Sequence, residues 1–339
     1  MPRALLITVV VLALLAPVLG AAAAGGSKTT GTRGQVVEIS ADGSRVAIHA
    51  QVPGDFREAC EYASVWTPAS GAVARIPEGK CSEQSERQFD RLTLAGSRLG
   101  WADYDYGNHA YCYGPYTATL TRTTPKDLNR CAGEEEGGDY YWEFLGDGSL
   151  LVARSYFECA ANCEPDYSAT YDADVTIWRL GSSLKKLVAA KDDTKLLAVA
   201  GGKILLLEKG GKLVVYSSAG KRGLEIAAGA KGGGLSGSDV VGVSGRTLKV
   251  YGAGGSLKAT RTLASGARLQ EIEAGEAVYI ASGQVRLLRL KDGSDRVAAR
   301  AKRLVEAELE PAGLYYAHNS GTGSKPGRVT FVPASALPK

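Results

Sequence analysis

Residues 36–50 read VVEISADGSRVAIHA, an aliphatic run, a polar turn at Asp42-Gly43, and a second aliphatic run. Asp-Gly between β-branched stretches is a hairpin signal, because glycine enters the positive-φ region that a tight turn needs. The same pattern returns at 91–103, 142–154, 196–208, 234–245, 269–281 and 306–318. Its turn glycines, at 43, 96, 148, 201, 237, 275 and 313, are spaced by 53, 52, 53, 36, 38 and 38 residues. Each copy is followed by a second strand pair, at 63–77, 110–122, 175–190, 212–228, 248–264, 284–300 and 328–339. Two hairpins make a four-stranded unit, and seven such units predict an all-β fold.

Without a leader of about 24 residues, roughly 315 of the 339 residues remain, near 45 per unit. Propeller blades of the WD type run at about 40–45 residues. A sandwich of about 100 residues would not repeat one four-strand unit seven times. The expected architecture is therefore a seven-bladed β-propeller of four-stranded antiparallel blades, with six or eight blades as the neighbouring possibilities, in a single domain over 25–339. Blades 1–3 occupy about 34–190 and compact blades 4–7 about 191–339. The last unit has little chain after Arg328–Val332, so residues 27–34 are expected to complete its sheet.

The stretch Ile39-Ser40-Ala41-Asp42-Gly43-Ser44-Arg45-Val46-Ala47 resembles the S-P-D-G-x-x-I/V-A signature of the TolB-type, WD40-like propeller repeat, with Ala41 in place of proline. VWTPASGAVARI at 65–76 is similar to that family's second hairpin. Blades 2 and 3 keep the turn, and blades 4–7 match by pattern. The resemblance implies a propeller fold, in a family that includes periplasmic binding and assembly proteins and the propeller domains of peptidases. It carries no residue-level function to this chain.

Residues 1–24, MPRALLITVVVLALLAPVLGAAAA, have the basic, apolar and small-residue order of a secretory signal. The apolar run is shorter than a comfortable bilayer span, and Pro17 and Gly20 end it, so cleavage is expected over an uncleaved anchor. No cysteine follows the run to carry a lipid. These features predict a soluble protein, monomeric, in the cell envelope or outside the cell, with no stable membrane span. In that compartment Cys60, Cys81, Cys112, Cys131, Cys159 and Cys163 are expected to form disulfides. Six cysteines allow fifteen connectivities, and the sequential one keeps each bridge within one blade. A zinc site is disfavoured, because the C-x₃-C spacing of Cys159 and Cys163 has no histidine beside it.

The chain spends its length unevenly. Blades 1–3 carry roughly fifteen extra residues each, and all six cysteines and all four tryptophans lie between residues 60 and 178. Long connections on a rigid scaffold are where function concentrates. Tyr104, Tyr106, Tyr116, Tyr140, Tyr141, Tyr167 and Tyr171 are read as loop residues there, beside carboxylates such as Asp103, Asp105, Asp139 and Asp166. Such aromatic faces suit a sugar or a peptide. Trp66 and Trp178 occupy equivalent third-strand positions and are read as packing between blades.

The formal charge of +4, from 40 basic and 36 acidic residues, offers no concentrated basic surface for nucleic acid. Three histidines, one in each of three blades, suggest no shared site, and no G-x-S-x-G, H-E-x-x-H or N-glycosylation motif occurs. Asp103–Asn108 lacks the ligands of a calcium loop, Glu134–Glu136 reads as a solvated run, and the glycines at 232, 234 and 237 sit in a hairpin rather than a βαβ unit. No cofactor, metal or catalytic residue is assigned. The expected function is a non-catalytic binding or interaction module with a protein or glycan partner. The alternative is a carbohydrate-active enzyme, a glycosidase or lyase, working with paired carboxylates near the axis.

Overall fold

The computed structural model describes residues 26–53, 58–76, 81–83, 89–104, 113–122, 126–128, 138–159, 175–190, 194–323 and 325–339. Strand β1 (Lys28–Gly31) comes first. Blade 1 is β2 (Gln35–Asp42), β3 (Arg45–Pro53), β4 (Glu58–Thr67) and β5 (Ala72–Arg75), with β6 (Cys81–Glu83) also paired to β4. Blade 2 is β7 (Asp90–Ala95), β8 (Arg98–Tyr104), β9 (Tyr113–Thr119) and β10 (Lys126–Asp127). Blade 3 is β11 (Gly138–Gly146), β12 (Leu151–Cys159), β13 (Val175–Leu180) and β14 (Leu184–Ala190). Blade 4 is β15 (Lys195–Ala200), β16 (Lys203–Glu208), β17 (Lys212–Ser217) and β18 (Arg222–Ala227). Blade 5 is β19 (Gly232–Ser236), β20 (Asp239–Ser244), β21 (Thr247–Tyr251) and β22 (Leu257–Thr262). Blade 6 is β23 (Arg268–Glu273), β24 (Glu276–Ala281), β25 (Gln284–Arg289) and β26 (Asp295–Arg300). Blade 7 takes β27 (Leu304–Glu310), β28 (Gly313–Asn319) and β29 (Gly327–Pro333), and β1 is its fourth strand.

Every ladder is antiparallel, and the first strands of the blades meet one another in a closed circuit, so the molecule is a seven-bladed β-propeller. The expected closure is formed by β1, which pairs β29 from Lys28 opposite Phe331 to Gly31 opposite Arg328. All seven repeat glycines have positive φ, six of them between 55° and 82° and Gly313 at 151°.

Strand periodicity explains the ring. Alternate side chains of a strand point to opposite faces, and in the middle strands both faces are apolar. Leu206 of β16 packs toward blade 3 while Leu205 packs toward blade 5. Val240 and Val241 of β20 divide in the same way between blades 4 and 6. One buried cluster fills each of the seven seams between neighbouring blades. No blade could bury both faces alone, so hydrophobic burial drives the sheets into a circle. Trp66 packs with Tyr315 and Ala317 of blade 7, and Trp178 with Ala95 and Ala102 of blade 2, as inter-blade residues.

One strand expectation differs from the structure. The strand pair expected over 110–122 in blade 2 is not formed there, and the chain runs straight through Gly114 and Pro115. Those residues lie inside β9, opposite Asp103 and Ala102, because Tyr116 and Ala118 continue the strand onto the core around Trp101. The chain turns later and adds only the two-residue β10. In blade 1, Cys60 lies within β4, and Cys81 opens an added strand that sets it opposite Cys60.

Candidate functional site

The first strand of each blade has one free edge, facing the axis, whose N–H groups lack a ladder partner. Buried backbone donors need acceptors. On one side of the ring the preceding blade supplies them. Glu306 Oε2 of β27 accepts the Ile39 N–H at 2.7 Å, Glu308 accepts that of Ala41, and Glu310 Oε2 accepts that of Gly43 at 2.9 Å. One seam on, Glu38 Oε1 of β2 accepts the Leu92 N–H at 2.7 Å, Ser40 Oγ that of Leu94 at 3.0 Å, and Asp42 that of Gly96. Between blades 6 and 7, Glu271 accepts the Leu309 N–H, and Gln270 Oε1 that of Ala307 at 3.3 Å. A strand places residues i, i+2 and i+4 on one side. The spacings Glu38-x-Ser40-x-Asp42 and Glu306-x-Glu308-x-Glu310 therefore carry the device in the sequence.

These carboxylates are crowded. Burial pushes Glu271 and Glu308 well above the usual carboxylate range, with the charges of their acidic neighbours adding to it. Burial raises Glu306 to about 7, with the Glu38 charge adding to it and the Ile39 N–H and Arg268 opposing. Glu310 is also raised to about 7 by burial, with Asp42 and Glu273 adding and the Gly43 N–H opposing. Burial raises Glu273 too, and Asp147 of blade 3 contributes.

Behind this wall sits His49 of β3, only 2% exposed. Its Nδ1 is 3.4 Å from Glu38 Oε1 and its Nε2 is 3.3 Å from Glu61 Oε2. Burial alone would favour neutral imidazole, but the two carboxylates outweigh it and hold the pKa at about 9. Glu61 Oε2 also accepts the Phe89 N–H at 3.1 Å. The Glu38–His49–Glu61 set thus holds the start of blade 2 at both Phe89 and Leu92. Nothing in the sequence around His49 marks this role, since its partners lie one strand away on either side.

The second candidate region is the face where second strands lead to third strands and where one blade leads to the next. The repeat-glycine turns lie at the opposite face. The ends bordering the long segments, at Pro53 and Glu58, Tyr104 and Tyr113, Asp127 and Gly138, and Cys159 and Val175, all belong to the connecting face. Tyr116 lies in β9, half-buried and stacked on Trp101 at 5.9 Å with 12° between the rings. Tyr104 ends β8 opposite Tyr113. Tyr140 and Tyr141 lie in β11, opposite Phe157 and Tyr156. These four therefore belong to strands rather than loops. Cys159 ends β12 opposite Gly138. Tyr106, Tyr167, Tyr171, Cys112, Cys131 and Cys163 lie outside the described residues, as do Asp105–Asn108 and Glu134–Glu136.

On the same face, between blades 4 and 5, a cleft of about 350 Å³ is lined by Ala228, Gly229, Ala230, Ser244, Thr247 and Lys249 among others. Among the described residues no group of three or more His, Cys, Asp or Glu could hold a metal ion, and no helix is long and apolar enough to cross a membrane.

The chain is similar in structure to an acylaminoacyl peptidase from Pyrococcus horikoshii, with a TM-score of 0.57 at 10% identity over 86% of this chain and 50% of that one. It therefore spans half the length of that peptidase. It is also similar to the Pan2 WD40 domain of Neurospora crassa, with a TM-score of 0.53 at 10% identity over 90% of this chain and 91% of that one. Hsv2 from Kluyveromyces marxianus gives a TM-score of 0.50 at 8% identity over 84% of this chain and 93% of that one. At these identities the likeness is one of fold. No family model and no curated protein sequence matches the chain.

Proposed function

We propose that this chain is an exported, non-catalytic propeller that binds a protein or glycan partner through the connections of blades 1–3. One observation carries the reading: the described strand ends that border the long tyrosine-bearing segments all belong to one face of a closed ring. A rigid ring presenting extended connections on one side is suited to recognition without chemistry. Export rests on the leader sequence, and the TolB-type assignment on Ile39–Ala47. The sequential disulfide pairing is part of the proposal, supported for the first pair by the register of Cys60 opposite Cys81. Such a bridge stabilises by about 2–4 kcal/mol.

The test uses residues 25–339, immobilised and offered a glycan panel and an envelope-protein extract. Because β11 begins at Gly138, the deletion that spares the blade is 132–137. This deletion and the Tyr167→Ala/Tyr171→Ala variant are expected to lose capture while keeping the wild-type unfolding midpoint. Undiminished capture by both contradicts the proposal.

The carbohydrate-active alternative has the burial of Glu306 and Glu310 in its favour, which raises both to about 7, where a general acid works. The Ile39 and Gly43 N–H groups engage their oxygens, so we assign them to ring closure. Glycoside hydrolysis by the wild type that Glu310→Gln abolishes would reinstate the enzyme.

A further inference from the structure

Glu306, Glu308 and Glu310 lie on one strand at intervals of about 6–7 Å. Blade 1 faces them with Glu38 and Asp42 of β2 and Arg45 of β3, and blade 6 with Arg268, Glu271 and Glu273 of β23. Tyr315 of β28 donates its hydroxyl to the Gly43 carbonyl at 3.4 Å, beside Glu310. His318 of β28 stacks on Tyr316 and pairs with Leu304, at the far end of β27 from Glu310. On β24, Glu276 is bound by Arg296, and Tyr279 by Arg286 and Asp295, away from the axis. Seven carboxylates thus share this wall with two guanidinium groups and with His49 of β3, whose Nδ1 lies 3.4 Å from Glu38 Oε1 and whose other nitrogen faces Glu61; both guanidinium groups already donate to carbonyls, Arg45 to Gly96 and Arg268 to Leu304 and Val305.

We propose that this wall is a proton-dependent latch: the seam between blades 7 and 1 is tightest while Glu306, Glu308 and Glu310 hold protons and slackens when these three are ionised. A protonated carboxyl keeps a carbonyl oxygen to accept the edge N–H and gains an O–H to donate to a neighbouring carboxylate. Protonation therefore costs the ladder none of its bonds. Full ionisation keeps the same acceptors but adds like-charge repulsion along one strand and across two seams. The raised values of Glu306 and Glu310, near 7, place the change around neutrality. The latch does not depend on what the connecting face binds.

The test compares residues 25–339 with the Glu306→Gln/Glu310→Gln variant, in which each amide oxygen still accepts the edge N–H without charge. The wild-type unfolding midpoint is expected to fall by about 4 °C or more between pH 5.5 and pH 8, and the variant to lose at least half of that fall. Equal falls in both chains overturn the latch. Should the variant not fold, a carboxyl-carbon NMR titration of the wild type decides it. At least two glutamates titrating between about 6 and 8 are expected, and midpoints all below 5 overturn the proposal.

Discussion

At the seams joining blades 7, 1 and 2, the inner strands are tied by two sets of three side-chain bridges to backbone N–H groups. Across the ring, at the 4–5 and 5–6 seams, the same tier is built mainly from small and apolar residues, with the Ser236 hydroxyl bridging to the Gly275 N–H across the second of them. Ala198 and Ala200 of β15 stand where Ser40 and Asp42 stand in β2, and β19 opens with Gly232, Gly233 and Gly234. A Cβ on Gly234 would lie 2.8 Å from Ile272 Cβ, and one on Gly233 would lie 3.3 Å from Leu197 Cδ1. One side of the axis is therefore closed by directional bonds, and the other by backbone brought within van der Waals reach of neighbouring side chains. The first kind responds to protons and the second to volume.

That contrast can be broken from either side. The largest effect is expected from His49→Leu, which removes the cation between Glu38 and Glu61. Removing one member of a buried ionic set costs about 3–5 kcal/mol, read by denaturant unfolding. His49 also has a pH signature. Its pKa is raised in the folded chain, so its contribution is whole below about 6.5 and is lost as pH rises through about 9. A neutral His49→Gln variant should lack that decline. On the other side, Gly234→Ala pushes a methyl into Ile272 and should cost about 1–3 kcal/mol, with no change in pH dependence. Ser236→Ala removes the single bridge to the Gly275 N–H, 2.7 Å long, and should cost about 1 kcal/mol. Least of all, Lys258→Ala breaks an exposed pair with Asp239 at 2.7 Å and should shift stability by under about 0.5 kcal/mol.

The turns, the blade number and the closing strand were legible because they rest on local chemistry: glycine at positive φ, aliphatic runs on both sides, and a regular interval. The axial acceptors were not. Glu306-x-Glu308-x-Glu310 in isolation looks like the solvated face of a strand, and only the next blade's free edge gives those carboxylates partners. His49 was opaque for the same reason, as Glu38 and Glu61 come from strands on either side of it. Tyr104, Tyr116, Tyr140 and Tyr141 read as loop residues in the sequence but lie in strands, Tyr104 and Tyr116 in β8 and β9, and Tyr140 and Tyr141 in the unusually long β11. Strands β11 and β12 have nine residues each, against six in β15 and β16. The strand pair expected over 110–122 is instead occupied by the single strand β9, because the packing of Tyr116 and Ala118 carries the chain through Gly114 and Pro115.

Amide hydrogen exchange at the axis reads out whether neighbouring side chains close the ring. Ile39, Ala41, Leu92 and Leu94 are on edge strands, where N–H groups without partners exchange quickly. If the neighbouring side chains hold them, their exchange at pH 6 is slowed to the level of the central-strand amides of Val241 and Leu206. Exchange within about tenfold of an unprotected peptide at these four positions would contradict it.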